Sequence, residues 1–200
     1  MKNFTKVVCA ALLAVSVISC QKDASEPNVN ASAIQGTWDF VSMSLDFTTS
    51  NAYTISGVKT ESVASGNYTT ENNTGVITID ASNMTSANLS YTVNSTVNAA
   101  IYEDGQLIEE FEQPFNVPAI TSNGSAAYRV VSADSLYFEG GTVFTNGVTQ
   151  ASQPSGAKYR VEGNRLYITQ IVKQTTTQNQ AGIVITSSAD GTAEITLQKK

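Results

Sequence analysis

Histidine is missing altogether: none occurs in 200 residues. A Ser-His-Asp or Cys-His catalytic set is therefore excluded. Cysteine is almost as scarce, with two in the chain, Cys9 and Cys20. Without His, and with so little Cys, nearly every zinc site is excluded as well. Neither a Gly-rich phosphate loop nor an EF-hand loop occurs. Helical periodicity is nearly absent. No apolar run reaches the roughly 20 residues that span a bilayer; the longest, residues 7–18, is interrupted by Cys9 and Ser16. No metal or cofactor is expected.

That short run has a context. Lys2 and Lys6 precede it, and Gln21-Lys22-Asp23 follow at once. A positive start and a short apolar core are the pattern of a secretion signal. The run ends Val17-Ile18-Ser19-Cys20, which resembles the lipobox of bacterial lipoproteins, with Val17 where Leu is usual. The resemblance implies cleavage after residue 19 and acylation of Cys20. Only one Cys would survive cleavage, so no internal disulfide could form. Acylation would remove a thiol exposed to an oxidising compartment, and two or more acyl chains hold a protein stably on a membrane. Residues 20–33 then read as the lipidated Cys and a flexible polar tether, with Pro27 and no apolar pattern. Gln21 is not the Asp that retains proteobacterial lipoproteins at the inner membrane. The expected location is therefore the outer membrane, on its periplasmic face or at the cell surface.

Eleven Lys and Arg against seventeen Asp and Glu give a net charge of −6, and loss of Lys2 and Lys6 would take it to −8. Such a surface disfavours nucleic acid and anionic membrane, which want basic patches. Paired-carboxylate catalysis needs only acidic groups, and its candidates are Glu109, Glu110, Glu112, Asp134 and Glu139. Three of these crowd beside a turn, as a solvated edge does. A non-catalytic domain is expected.

Residues 34–200 are rich in Thr, Ser, Asn, Val and Ile, in short alternating runs separated by turn residues. This is the pattern of an all-β domain. Taking Gly163-Asn164 as a two-residue turn sets Glu162 against Arg165, Val161 against Leu166 and Tyr159 against Ile168. A one-residue slip would destroy the match. A three-residue loop at Ala189-Asp190-Gly191 would pair Ile185 with Ile195 and Ile183 with Leu197. A turn at Asp104-Gly105 would pair Tyr102 with Leu107 and Ile101 with Ile108. Other strands are expected at residues 37–45, 52–60, 75–80, 126–131, 135–139 and 141–145. The total, about eight to ten antiparallel strands, suits a barrel or a β-sandwich. In the first strand Trp38 and Phe40 share one face while Val41, Met43 and Leu45 share the other. Either both faces are buried or the strand bulges near Phe40.

Gly36-Thr37-Trp38 opens that strand, immediately after the tether. With the segments 159–168 and 191–197, it resembles the lipocalin-like lipoproteins of Bacteroidetes. The resemblance implies a barrel, with Trp38 plugging its closed end and Gly36 allowing the N-terminal segment to approach. It also implies a small apolar or amphipathic ligand. The Arg that lipocalins place near the end of the last strand is replaced here by Lys199 and Lys200. Trp38 reads equally well as an ordinary core aromatic. Tyr91, Tyr102, Phe111, Phe115, Tyr128, Tyr137, Phe138 and Phe144 could likewise fill a core or line a pocket. The competing function is a structural or adhesive β-sandwich that meets a glycan or protein through its loops.

Overall fold

A computed structural model describes residues 31–144 and 154–200. The expected signal, Cys20 and most of the tether lie outside the described residues. The last tether residues do not trail free: Ala31–Ala33 form a 3-10 turn, and Ile34 behind it is fully buried.

The rest is strand. In chain order these are β1 (Gly36–Ile55), β2 (Val58–Thr69), β3 (Glu71–Ile79), β4 (Asn83–Glu103), β5 (Gln106–Val117), β6 (Ser122–Ser132), β7 (Ser135–Phe138), β8 (Ser155–Glu162), β9 (Arg165–Gln180) and β10 (Ile183–Lys199). All pairings are antiparallel, and β10 returns to pair with β1, so a single sheet closes in a ring. The two packed sheets of a sandwich do not form.

The ten strands make eight staves. β2 and β3 hold one register on β4, from Thr60 opposite Glu103 to Ile79 opposite Met84. β5 and β6 also share a register on β4, with Asn98 opposite Glu112 and Asn83 opposite Ala127. Each pair is thus one long strand with an interruption, and neighbours in sequence are neighbours in the ring. The alternation that made these segments readable as strands is what fills the interior. On β10, Ala193, Ile195 and Leu197 are buried while Glu194, Thr196 and Gln198 face out.

Trp38 and Phe40 are buried, Val41 is exposed, and Met43 is buried again. The pairing with β10 skips Val41, passing from Phe40 opposite Leu197 to Ser42 opposite Thr196. The strand therefore bulges, and the two-sided burial considered from sequence does not occur. The Gly163-Asn164 hairpin has the expected register at all three pairs. Its charges partner differently: Glu162 and Glu194 both grip Arg160, at 2.9 and 3.1 Å.

Four expectations are corrected. Ala189-Asp190-Gly191 is not a loop but the middle of β10; the turn lies at Ala181-Gly182, and Ile195 faces Ile168 while Leu197 faces Leu166. The Asp104-Gly105 turn pairs Tyr102 with Leu107, but Ile108 is bulged out, so Ile101 meets Glu109. Residues 52–60 are not one strand: Ser56-Gly57 turns the chain between β1 and β2, with both residues at positive φ. Residues 141–144 are not strand either.

The staves differ greatly in length. β7 has 4 residues and β8 has 8, whereas β1 has 20 and β4 has 21. Beyond the reach of β7 and β8, the wall continues as an open sheet in the order β9-β10-β1-β2-β4-β5. Its tips are the turns after Ile55, Glu103 and Gln180. Gly36 and Lys199 lie at the opposite, closed end.

Candidate functional site

At the closed end Trp38 is 0% exposed. Its indole Nε1 donates to the Ile34 carbonyl at 2.9 Å, tying the 3-10 turn across the ring. Lys199, directly opposite in β10, sets its ammonium 5.5 Å from the indole centroid, within cation–π range. Lys200 instead pairs with Asp39 at 3.1 Å. Gly36 has φ +133, a backbone that side chains rarely adopt. A Cβ there would meet only Lys199 Cε, at 3.7 Å, so conformation rather than close approach asks for glycine.

The open end holds the cavity. Where β7 and β8 stop, the tall strands enclose about 270 Å3. Alternate residues of β1 form its floor: Met43, Leu45, Phe47 and Thr49. Tyr68 of β2, Phe115 of β5 and Phe144 after β7 stand around it, with Gln170 and Val172 of β9 and Ala193 and Ile195 of β10 opposite. Three rings form one cluster: Tyr68 stacks on Phe115 at 5.6 Å, and Phe47 leans on both at 6.2 and 6.0 Å. Phe47 has glycine opposite it on both flanking strands, Gly66 and Gly191. A Cβ on Gly191 would lie 2.6 Å from the Asp46 carbonyl oxygen, so that glycine lets β10 pass close beneath the ring.

The described lining side chains are apolar or neutral, Asp190 apart. Gln170 is buried, and its Nε2 donates to Ser155 Oγ at 2.9 Å. Asp190 contributes to the wall, but its register places it on the outer face, and its carboxylate pairs with Lys173 at 3.5 Å. A second depression of about 220 Å3 shares Thr49 with the first and continues toward the tips past Asn51, Ser62, Ala64, Ala99, Phe111 and Gln113.

Burial, and then the neighbouring Tyr91, push the Tyr68 hydroxyl up to about 12. Burial, reinforced by Asp80 and Tyr159, does the same to Tyr128, whose hydroxyl donates to the Asp80 carbonyl at 2.6 Å. Both values are raised above the ordinary value of about 10. The associated stability is complete below about pH 10 and is lost as pH rises through about 12. An absorbance titration of tyrosinate should therefore show a late group near pH 12 that shrinks in Tyr68→Phe. A Tyr68→Phe curve superimposable on the parent would mean that Tyr68 is not held in the apolar wall.

The carboxylates considered for catalysis are dispersed. Glu109, Glu110 and Glu112 run along β5, Asp134 binds Lys158 at 2.9 Å, and Glu139 reaches Arg129 at 4.0 Å. Among the described residues no group of three or more Asp, Glu or Cys is placed to hold a metal. Of the aromatics considered from sequence, Phe115 and Phe144 line the cavity. Tyr91, Tyr128 and Phe138 are buried in the core, and Phe111 is 40% exposed. Phe47 and Tyr68, the centre of the ring cluster, carried no distinguishing signal: each sits among Thr, Ser and Asn. No family model, no curated protein and no solved structure matches the chain.

Proposed function

We propose that this chain is an exported lipoprotein, held at the outer membrane by acyl chains on Cys20, whose domain binds a small apolar or amphipathic molecule without chemically changing it. The observation that carries the reading is the aromatic-walled cavity at the open end of the ring. Ligand sites are concave, mostly apolar and marked by a few polar groups, and this one has Gln170 and Thr49 among rings and aliphatics. Its volume lies just below the roughly 300–1,000 Å3 of drug-sized sites, which favours a small molecule or one end of a longer one. The likeness of Gly36-Thr37-Trp38 to the lipocalin first strand points the same way, as does Lys199 over the indole, where the family places Arg. Gly36 sits at the closed end, so a tether running back to Cys20 leaves from the end opposite the cavity. A ligand then enters from the side away from the anchor.

The ring closes and its core is completed within residues 31–200, so the chain from Gln21 onward is a suitable sample. N-phenyl-1-naphthylamine, a neutral fluorescent probe, should bind it at one site, and Leu45→Trp, which fills the cavity, should abolish the enhancement. Fluorescence that does not respond to the protein would remove the binding reading. In cells, Cys20→Ala should release the protein from membranes; incorporation of labelled fatty acid into that variant would refute the anchor.

A further inference from the structure

We propose that the ligand is an uncharged amphipath, with its tail in the apolar cavity and a neutral hydrogen-bonding head in the adjoining depression. The inference rests on the binding function above and adds the chemical class. Moving along β1 from the ring toward the tip, the inner face changes character within a few residues. Met43, Leu45 and Phe47 give way to Thr49 and Asn51. On β2, Tyr68 gives way past Gly66 and Ala64 to Ser62, level with Asn51, and on β5 Gln113 stands between Phe115 and Phe111. The two depressions meet at Thr49, so one molecule can occupy both. Taking a methylene as about the size of a water, roughly 30 Å3, the apolar cavity accommodates a chain of about eight or nine carbons.

Charge selects the head. Among the described residues no Lys or Arg side chain lines either depression. The described cations are engaged elsewhere: Lys59, Arg129, Lys158, Arg160, Lys173 and Lys200 in ion pairs, Arg165 on Gln198, and Lys199 over Trp38. The segment 145–153 contains no charged residue. An anionic or a cationic head would leave water without a counter-charge, which is costly: Asp190, the one charged residue in either described lining, faces out to Lys173. Among the aliphatic and aromatic side chains of the second depression, the polar groups are hydroxyls and amides: Thr49, Asn51, Ser62 and Gln113.

The test compares probes sharing one eight-carbon tail: octanol, octyl glucoside, octanoate and octyltrimethylammonium. Each competes with N-phenyl-1-naphthylamine on the chain from Gln21 at about pH 7, where octanoate is ionised. Octanol and octyl glucoside should displace the probe, and both charged analogues should be weaker by about tenfold or more. Gln113→Lys, which sets a cation in the wall of the second depression, should then improve octanoate relative to octanol by about tenfold. Octanoate or octyltrimethylammonium competing as well as octanol in the parent protein would overturn the uncharged class while leaving the binding function intact. Failure of all four probes, with N-phenyl-1-naphthylamine also unbound, would overturn both.

Discussion

Trp38→Ala is expected to lower the stability of the domain by about 3–5 kcal/mol, the usual loss when a buried large aromatic is truncated. The residue is completely enclosed among Ile34, Ile77 and Leu197, which are themselves fully buried, so the space left behind is lined by groups that cannot all collapse into it. Truncation also removes the donor to the Ile34 carbonyl, leaving a buried acceptor unpaired at a cost of about 1–3 kcal/mol in its own right. Lys199 would lose its aromatic surface at the same moment. Trp38→Phe separates the two effects, since it keeps most of the packing and deletes only the bond. It should fall between the parent and Trp38→Ala. The measurement is urea unfolding followed by circular dichroism, because Trp38 is the chain's one tryptophan and its fluorescence leaves with it. A parent-like midpoint at unchanged slope would show that the closed end does not depend on the indole.

What could be read in advance follows from where each signal resides. The Gly163-Asn164 hairpin was legible because turn chemistry and alternation agree there, and both are local. The change of phase near Phe40 was legible because it lies within one strand, whereas the choice of a bulge over burial on both faces needed the pairing with β10. The tall part of the wall was not. Its strands stand partly in solvent, so Thr175-Thr176-Thr177 and Ser187-Ser188 replace the apolar alternation that marks a buried strand. That is why the Ala181-Gly182 turn went unseen. The cavity was the least legible feature, since its lining comes from β1, β2, β5, β9, β10 and the segment after β7. Only the register of the closed ring places Phe47 beside Gly66 and Gly191.

Gly191→Val should both destabilise the protein and close its cavity. In sequence, Asp190-Gly191 looks like a hairpin turn, where glycine would serve a left-handed backbone. In the fold Gly191 lies within β10, outside the positive-φ set, opposite Phe47 on one side and Val172 on the other. Its role is spatial. A Cβ would sit 2.6 Å from the Asp46 carbonyl oxygen and 3.2 Å from the Phe47 Cβ, so β1 and β10 would have to separate at one of the two longest pairings in the ring. Overpacking of this kind costs about 1–3 kcal/mol. The two added methyls would also stand beside Phe47 in the cavity wall, and affinity for N-phenyl-1-naphthylamine should fall by at least about tenfold. Ala189→Val is the control: the same strand and face, one row nearer the tip, where a Cβ is already accommodated. It should cost far less in the urea midpoint. If the two variants lose the same stability and Gly191→Val still binds the probe at parent affinity, Gly191 is not the close-contact point between β1 and β10, and the aromatic wall is not seated as described.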